Sequence, residues 1–188
     1  MGIRDERAAA TRQKLIEAGR EEFQRHGFAG GRVDDVAIRA GVNKRLIYAH
    51  FESKAGLFDA VVADNVARVA RDVPFTAGDL PGYAVQLFDY WTANPVAVRL
   101  FAWRNIEESH APQFENETYR RMVEAIESTG GDRRAGLPAD HLLALVFAVL
   151  LAWAIPAETF QQPIAEEQQR RRDTVRETVR RIADPSRS

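Results

Sequence analysis

Lys44, Arg45, Tyr48 and His50 stand within two helical turns of one another. Their shared chemistry is recognition of a polyanion. Lysine and arginine bring positive charge to phosphates, arginine can also grip a guanine edge with two hydrogen bonds, and a tyrosine hydroxyl can donate to a phosphate oxygen. The same residues would also suit a plain surface helix with solvated charges.

Residue types that could support catalysis do not converge. His26, His50, His110 and His141 are scattered, with no metal-binding spacing. Glu107-Glu108 and Glu166-Glu167 are adjacent pairs, whose side chains leave a helix in different directions. Ser109-His110 adjacency does not make a nucleophile and its base. There is no cysteine, hence no disulfide scaffold and no thiolate metal site. The reading is a non-enzyme with no cofactor and no metal.

The cationic cluster needs an element to hold it, and residues 36–51 supply one. Gly41 can end a helix in the left-handed conformation, and Asn43 can cap the next. Val36, Ala40, Val42, Ile47 and Phe51 are the apolar positions that would hold two short helices together, with Ala37 allowing a close crossing. This is the layout of a helix-turn-helix whose second helix enters a DNA groove.

Upstream, residues 3–10 read as a charged arm with Arg4 and Arg7, without structure when free. Residues 11–26 read as a helix on Leu15, Ile16, Ala18, Gly19 and Phe23, closed by Gly27. Gly30-Gly31-Arg32 reads as a loop, and residues 33–40 as a helix with Asp34 and Asp35 in its favourable first turn. Ser53 is a good N-cap. The apolar stripe Leu57, Phe58, Val61, Val62, Val66, Val69 then extends a helix to about Arg71, before Pro74. Charge follows the same division. Residues 1–54 carry 11 Lys+Arg against 8 Asp+Glu and the remainder 15 against 19, although the whole chain is at -1. A basic first quarter and an acidic remainder suit a chain of which one end meets DNA.

Residues 11–62 resemble the N-terminal domain of the tetracycline-repressor (TetR) family of bacterial transcriptional regulators. The resemblance is carried by Thr11-Arg12, Phe23, Gly27-Phe28, Val33, Asp35-Val36-Ala37, Ala40-Gly41-Val42, Lys44, Ile47-Tyr48, Phe51, Ser53-Lys54 and Leu57. It implies a DNA-contacting set of Arg32, Asn43, Lys44, Arg45, Leu46, Tyr48, Ala49, His50 and Lys54. Several positions depart from the usual pattern. Gly19 replaces an alanine, Gly31-Arg32 replaces a hydroxyl residue, Arg45-Leu46 replaces a small residue and threonine, and Ala49 replaces a large ring.

The rest of the chain reads as helices over residues 80–92, 96–109, 114–128, 142–155 and 162–183. These are separated by Asn94-Pro95, Pro112, a loop at 128–132, and Pro156. The run over 142–155 is apolar on every face but shorter than the roughly 20 residues a bilayer needs, so no membrane span is expected. A helix apolar all round must be covered all round, which places core on one face and a second copy of the chain on the other. No export signal is visible, and a cytoplasmic protein is expected.

The rings Phe88, Trp91, Phe101, Trp103, Phe147 and Trp153 suit either plain core packing or a ligand cavity. The resemblance implies an effector pocket. Arg104, Asn105, Tyr119 and His141 would be its polar handles, beside Phe88, Trp91, Phe101, Trp103 and Phe147. The expected chain is all-α: an N-terminal three-helix helix-turn-helix domain at 1–52, and a helical effector-binding and dimerisation domain at 53–188. Its expected function is that of a ligand-responsive regulator, a repressor, binding a palindromic double-stranded DNA operator as a homodimer through its C-terminal helices. A ligand carrier or enzyme on a helical bundle, and a DNA-binding protein with no effector, are the alternatives.

Overall fold

The computed structural model describes residues 2–107, 113–154 and 165–187. Its helices are α1 (Ile3–Gly30), α2 (Val33–Ala40), α3 (Arg45–Phe51), α4 (Lys54–Asp72), α5 (Leu80–Ala93), α6 (Pro95–Glu107), α7 (Gln113–Ser128), α8 (Gly131–Ala135), α9 (Ala139–Ala154) and α10 (Ala165–Ala183). Among the described residues there is no strand, and no helix is long and apolar enough to cross a membrane. The expected helix ends at Ser109 and Ile155, the breaks at Pro112 and Pro156 and the restart at Gln162-Pro163 lie outside the described residues. The chain forms two compact units: Met1–Arg68 with Arg99–Pro112, and Val69–Val98 with Gln113–Ser188.

In the first unit Leu15, Ile16, Phe23, Val36, Ile47, Leu57, Phe58 and Val61 are almost wholly buried. The Phe58 ring meets Phe23 edge-on at 5.1 Å between centroids and lies 5.1 Å from Phe28. Two glycines permit this packing. A Cβ on Gly19 would stand 3.1 Å from Val61 Cγ2, so α1 and α4 cross in near contact; a Cβ on Gly56 would fall on the Phe51 carbonyl oxygen.

The arm expected over residues 3–10 is instead the beginning of α1. Asp5 and Glu6 lie in its first turn, where the helix dipole favours acids. The Gly2 amide donates to the Asp5 carboxylate at 3.1 Å, and Ala8-Ala9-Ala10 follow with the highest helix propensity. At Gly27 the backbone takes φ 68°, and one more turn runs to Gly30.

Glu22 is a charged side chain inside this unit, 1% exposed. Its Oε1 accepts the Arg32 backbone amide at 3.1 Å, and its Oε2 accepts Arg39 Nη1 at 3.1 Å. One carboxylate on α1 thus holds both ends of α2. Burial alone would raise its pKa. The Arg32 amide and the Arg39 guanidinium, with His26 nearby, outweigh burial and hold it below the ordinary value of 4.5.

The second unit is built on α5, α7, α8, α9 and α10. Leu80, Leu87, Phe88 and Trp91 of α5 share a core with Met122 and Ile126 of α7, Leu142, Val146 and Leu150 of α9, and Val175 and Val179 of α10. The Asp79 carboxylate caps α5 by accepting the Gly82 amide at 2.9 Å, and Arg172 Nε ties α10 to Asp89 of α5 at 2.9 Å. The loop expected over 128–132 is cut short, because Gly131 begins α8 between two left-handed glycines, Gly130 and Gly136. Along α9, Leu142, Leu143, Val146 and Leu150 turn inward, while Ala144, Leu145, Ala148 and Ala152 are exposed.

Glu22→Gln should therefore lower stability by about 1–3 kcal/mol at neutral pH, since a charge-assisted bond within a buried site is lost. A depressed carboxylate pKa contributes stability that is present above the unfolded value and lost as pH falls through the folded one. Urea unfolding at a series of pH values should show the gap between native chain and variant closing as pH drops below about 4. A gap that is constant with pH would show that the Glu22 charge has no such role.

Candidate nucleic-acid interface

The hairpin of α2 and α3 is built by local rules. Gly41 takes φ 66°, ψ 34°, and its amide and that of Val42 close on α2 carbonyls. Asn43 Oδ1 accepts the Arg45 amide at 2.9 Å, capping α3 as its residue type suggests. Val36, Ala37, Ile47 and Phe51 are buried and fix the two helices against the core. The end of α3 is sharp: Glu52 adopts φ 64°, and Ser53 Oγ accepts the Gly56 amide at 2.9 Å to start α4.

The opposite side of the hairpin faces solvent. Asn43, Arg45, Leu46, Tyr48 and Ala49 are exposed, and Arg32 is exposed just before α2. Lys44 and His50 are half-buried. Arg45, Leu46, Tyr48 and Ala49 share one face of α3, since they lie three and four residues apart. Arg32 and Arg45 have no carboxylate partner among the described residues. The arrangement is a cationic and partly apolar helix face on a rigid support, suited to a major groove.

Two of the expected cations are engaged within the chain. Lys44 Nζ stands 2.8 Å from Asp34 Oδ1 on α2, and the hydrogen bond to Asp34 raises the lysine pKa. Lys54 Nζ donates to the Ala29 carbonyl at 3.2 Å and lies 4.8 Å from the Phe28 ring centroid. It therefore ties the start of α4 to the end of α1. His50 rests beside Phe51, with 6.1 Å between ring centroids, and Arg12 lies 5.2 Å over the other member of that pair, Phe51.

Sequence reasoning missed Glu22, Asp34 as a counterion, and Gly56. Glu22 carried a signal: it is in phase with Leu15, Ala18 and Gly19 on the apolar stripe of α1, where a charge must find a partner. The pairing of Lys44 with Asp34 joins separate elements and leaves no local mark.

Of the residues expected around an effector, the structure brings Trp91, Tyr119 and Phe147 together. Phe147 lies 6.4 Å from Trp91 and 5.7 Å from Tyr119 between centroids. Phe88 belongs to the same core, and His141 is exposed on α9. Phe101 is half-buried on α6 and belongs to the first unit. The side chains of Trp103, Arg104 and Asn105 lie outside the described residues. A cavity of about 500 Å³ in the second unit is lined by Asp79, Leu80, Thr129, Arg134, Arg180 and Asp184, among others, and by none of the rings.

The Lys54 contacts have a measurable consequence without DNA. Lys54→Ala should lower the stability of the free chain by about 0.5–1.5 kcal/mol, through the lost carbonyl bond and the lost ring contact. Thermal unfolding checks this. An unchanged midpoint would show that Lys54 is held for solvent or phosphate alone.

Two family descriptions match this chain. "Bacterial regulatory proteins, tetR family" covers residues 15–61, and "Tetracyclin repressor-like, C-terminal domain" covers residues 79–181. The HTH-type transcriptional repressor SCO4008 of Streptomyces coelicolor is 33% identical over 186 residues, spanning 93% of this chain and 96% of that protein. The crystal structure of SCO4942 from Streptomyces coelicolor aligns with a TM-score of 0.70 at 29% identity, covering 92% of this chain and 97% of that one. The multidrug binding protein EbrR, crystallised with malachite green, shares the fold at a TM-score of 0.65 and 17% identity, over 92% of this chain and 97% of its own. With helix-turn-helix geometry at one end and a helical unit at the other, the chain belongs to the tetR family of bacterial regulatory proteins.

Proposed function

We propose that this chain is a cytoplasmic, homodimeric repressor that binds a palindromic operator and is released from it by a small-molecule effector. The observation that carries the reading is the two-sidedness of α3: Ile47 and Phe51 are locked in the core while Arg45, Leu46, Tyr48 and Ala49 are presented outward. In this reading residues 1–52 engage DNA, and residues 53–188 bind the effector and the second subunit. The similarity to a named repressor over nearly the full length supports the sign of regulation.

Support for the dimer comes from α9. Ala144, Ala148 and Ala152 recur every four residues on its exposed side, beside Leu145 at 41% exposure. Small residues let a second helix approach closely, and the exposed leucine gains by being covered. Support for the effector comes from the rings Trp91, Tyr119 and Phe147, and from the dye held by the distant structural neighbour EbrR.

Titration of an operator selected from random duplexes tests the central reading. Affinity should fall linearly with salt on logarithmic axes, with a slope of about -0.9 for each phosphate neutralised. Leu145→Asp should give a folded monomer that no longer holds both halves of the palindrome, since a carboxylate would otherwise be buried without a partner. A salt-independent affinity would refute DNA recognition, and an unchanged mass in Leu145→Asp would refute this dimer face.

An effector must bind the DNA-free form more tightly than the DNA-bound form, and the coupling is reciprocal. An apolar or aromatic compound packed near Trp91 should change tryptophan emission and weaken operator binding about 5- to 150-fold. Compounds that change emission without touching operator affinity would remove the effector from this reading.

A further inference from the structure

We propose that Leu46 and Ala49 form an apolar reading surface for thymine 5-methyl groups, set beside Arg45 as the reader of a neighbouring guanine. This rests on the DNA-binding reading and adds to it the chemistry of the half-site. Leu46 is 38% exposed although the core positions of α3 are already filled by Ile47 and Phe51. Ala49 is exposed one turn further on. Residues three apart lie on one face and about 4.5 Å apart along the axis, at 1.5 Å of rise per residue. That separation exceeds the roughly 3.4 Å rise between successive base pairs by about 1 Å, a difference that the reach of a leucine side chain can span.

Neither side chain has a donor or an acceptor, so neither can distinguish bases by hydrogen bonding. The thymine methyl is the apolar feature that a base pair offers in the major groove. A leucine and an alanine in line therefore select for methyl groups and leave an unpaired amine or carbonyl of any other base dehydrated against them.

The neighbouring groups fix the setting. Arg45 opens α3, with its amide held by Asn43 Oδ1 at 2.9 Å. Its guanidinium has no carboxylate partner among the described residues, so it is available for a guanine O6 and N7. Lys44, by contrast, is held 2.8 Å from Asp34. The face that reads is thus one cation followed by two apolar groups, with the exposed Tyr48 between them in sequence.

The probe is the duplex most enriched when the full chain selects from a random-sequence pool. Each thymine of its half-sites is replaced singly by deoxyuridine, which removes the methyl and keeps every hydrogen bond. One or two positions in each half-site should weaken binding about fourfold, the effect of one buried methyl. At one of them Leu46→Ala should abolish the difference between thymine and deoxyuridine. Leu46 is exposed, so the variant should keep its helical signal. As a second variant, Leu46→Asn should select a pool in which that thymine gives way to adenine, which asparagine can bond. An enriched pool in which no deoxyuridine replacement matters would overturn the methyl reading and leave DNA recognition standing. A pool with no enrichment would overturn both.

Discussion

The position of the hairpin depends on one buried carboxylate. Glu22 accepts the Arg32 amide at the entry to α2 and the Arg39 guanidinium in its last turn. These two bonds define a line along α2 and fix how it lies on α1. The turn at Gly41 and the buried Ile47 and Phe51 then carry that placement into α3. A buried ion pair gains little net energy over a well-packed apolar contact, because desolvation offsets attraction. Its effect here is directional: an apolar residue at position 22 could pack, but it could not hold two polar groups of α2 in one register.

The same unit is closed from the other side by α4. Gly19 lets α4 lie close to α1, and Gly56 lets its first turn pass under the Phe51 carbonyl. Further along, Arg20 and Arg68 share Asp64, and Arg68 also meets Glu17 at 2.8 Å. Surface ion pairs taken singly contribute little, but a network spanning two helices resists their sliding. Any displacement of α4 within the first unit must break these contacts or move α1 as well.

Much of this was legible wherever one residue carried its own conformational rule. Gly27 and Gly41 adopt the positive φ their type allows, Ser53 caps, and Asp34 and Asp35 lie in the first turn of α2. The apolar stripes placed most helices within a few residues. Residues 3–10 form helix and not an arm, because three consecutive alanines and the acids of the first turn favour helix over a solvated charged terminus. The short α8 was missed because a pair of glycines resembles a loop, and five residues show no helical period. Long-range pairings, such as Lys54 with Ala29 or Arg172 with Asp89, have no trace in a single sequence. The ring cluster was legible only as a set of candidates. Periodicity says which face a ring occupies, and only tertiary packing says which ring it meets.

Charge needs the same distinction between total and placement. The net charge of -1 is a property of the whole chain, whereas a groove senses only charges within about a Debye length, roughly 8–10 Å. Inside the first unit, acids already answer Arg20, Arg39, Lys44 and Arg68, and these pairs bring little net positive charge to DNA. Arg32 and Arg45 stand outside such pairs among the described residues, and Tyr48 adds a hydroxyl without charge. Arg4, Arg7, Arg12, Lys14 and Lys54 likewise have no carboxylate partner among the described residues, and the non-specific affinity scales with how many such cations reach a phosphate. Sequence discrimination in a major groove comes from base edges, not from phosphates. The acids that lower the net charge of the chain thus also restrain several of its cations, so that total charge and the charge presented at one face are separate quantities.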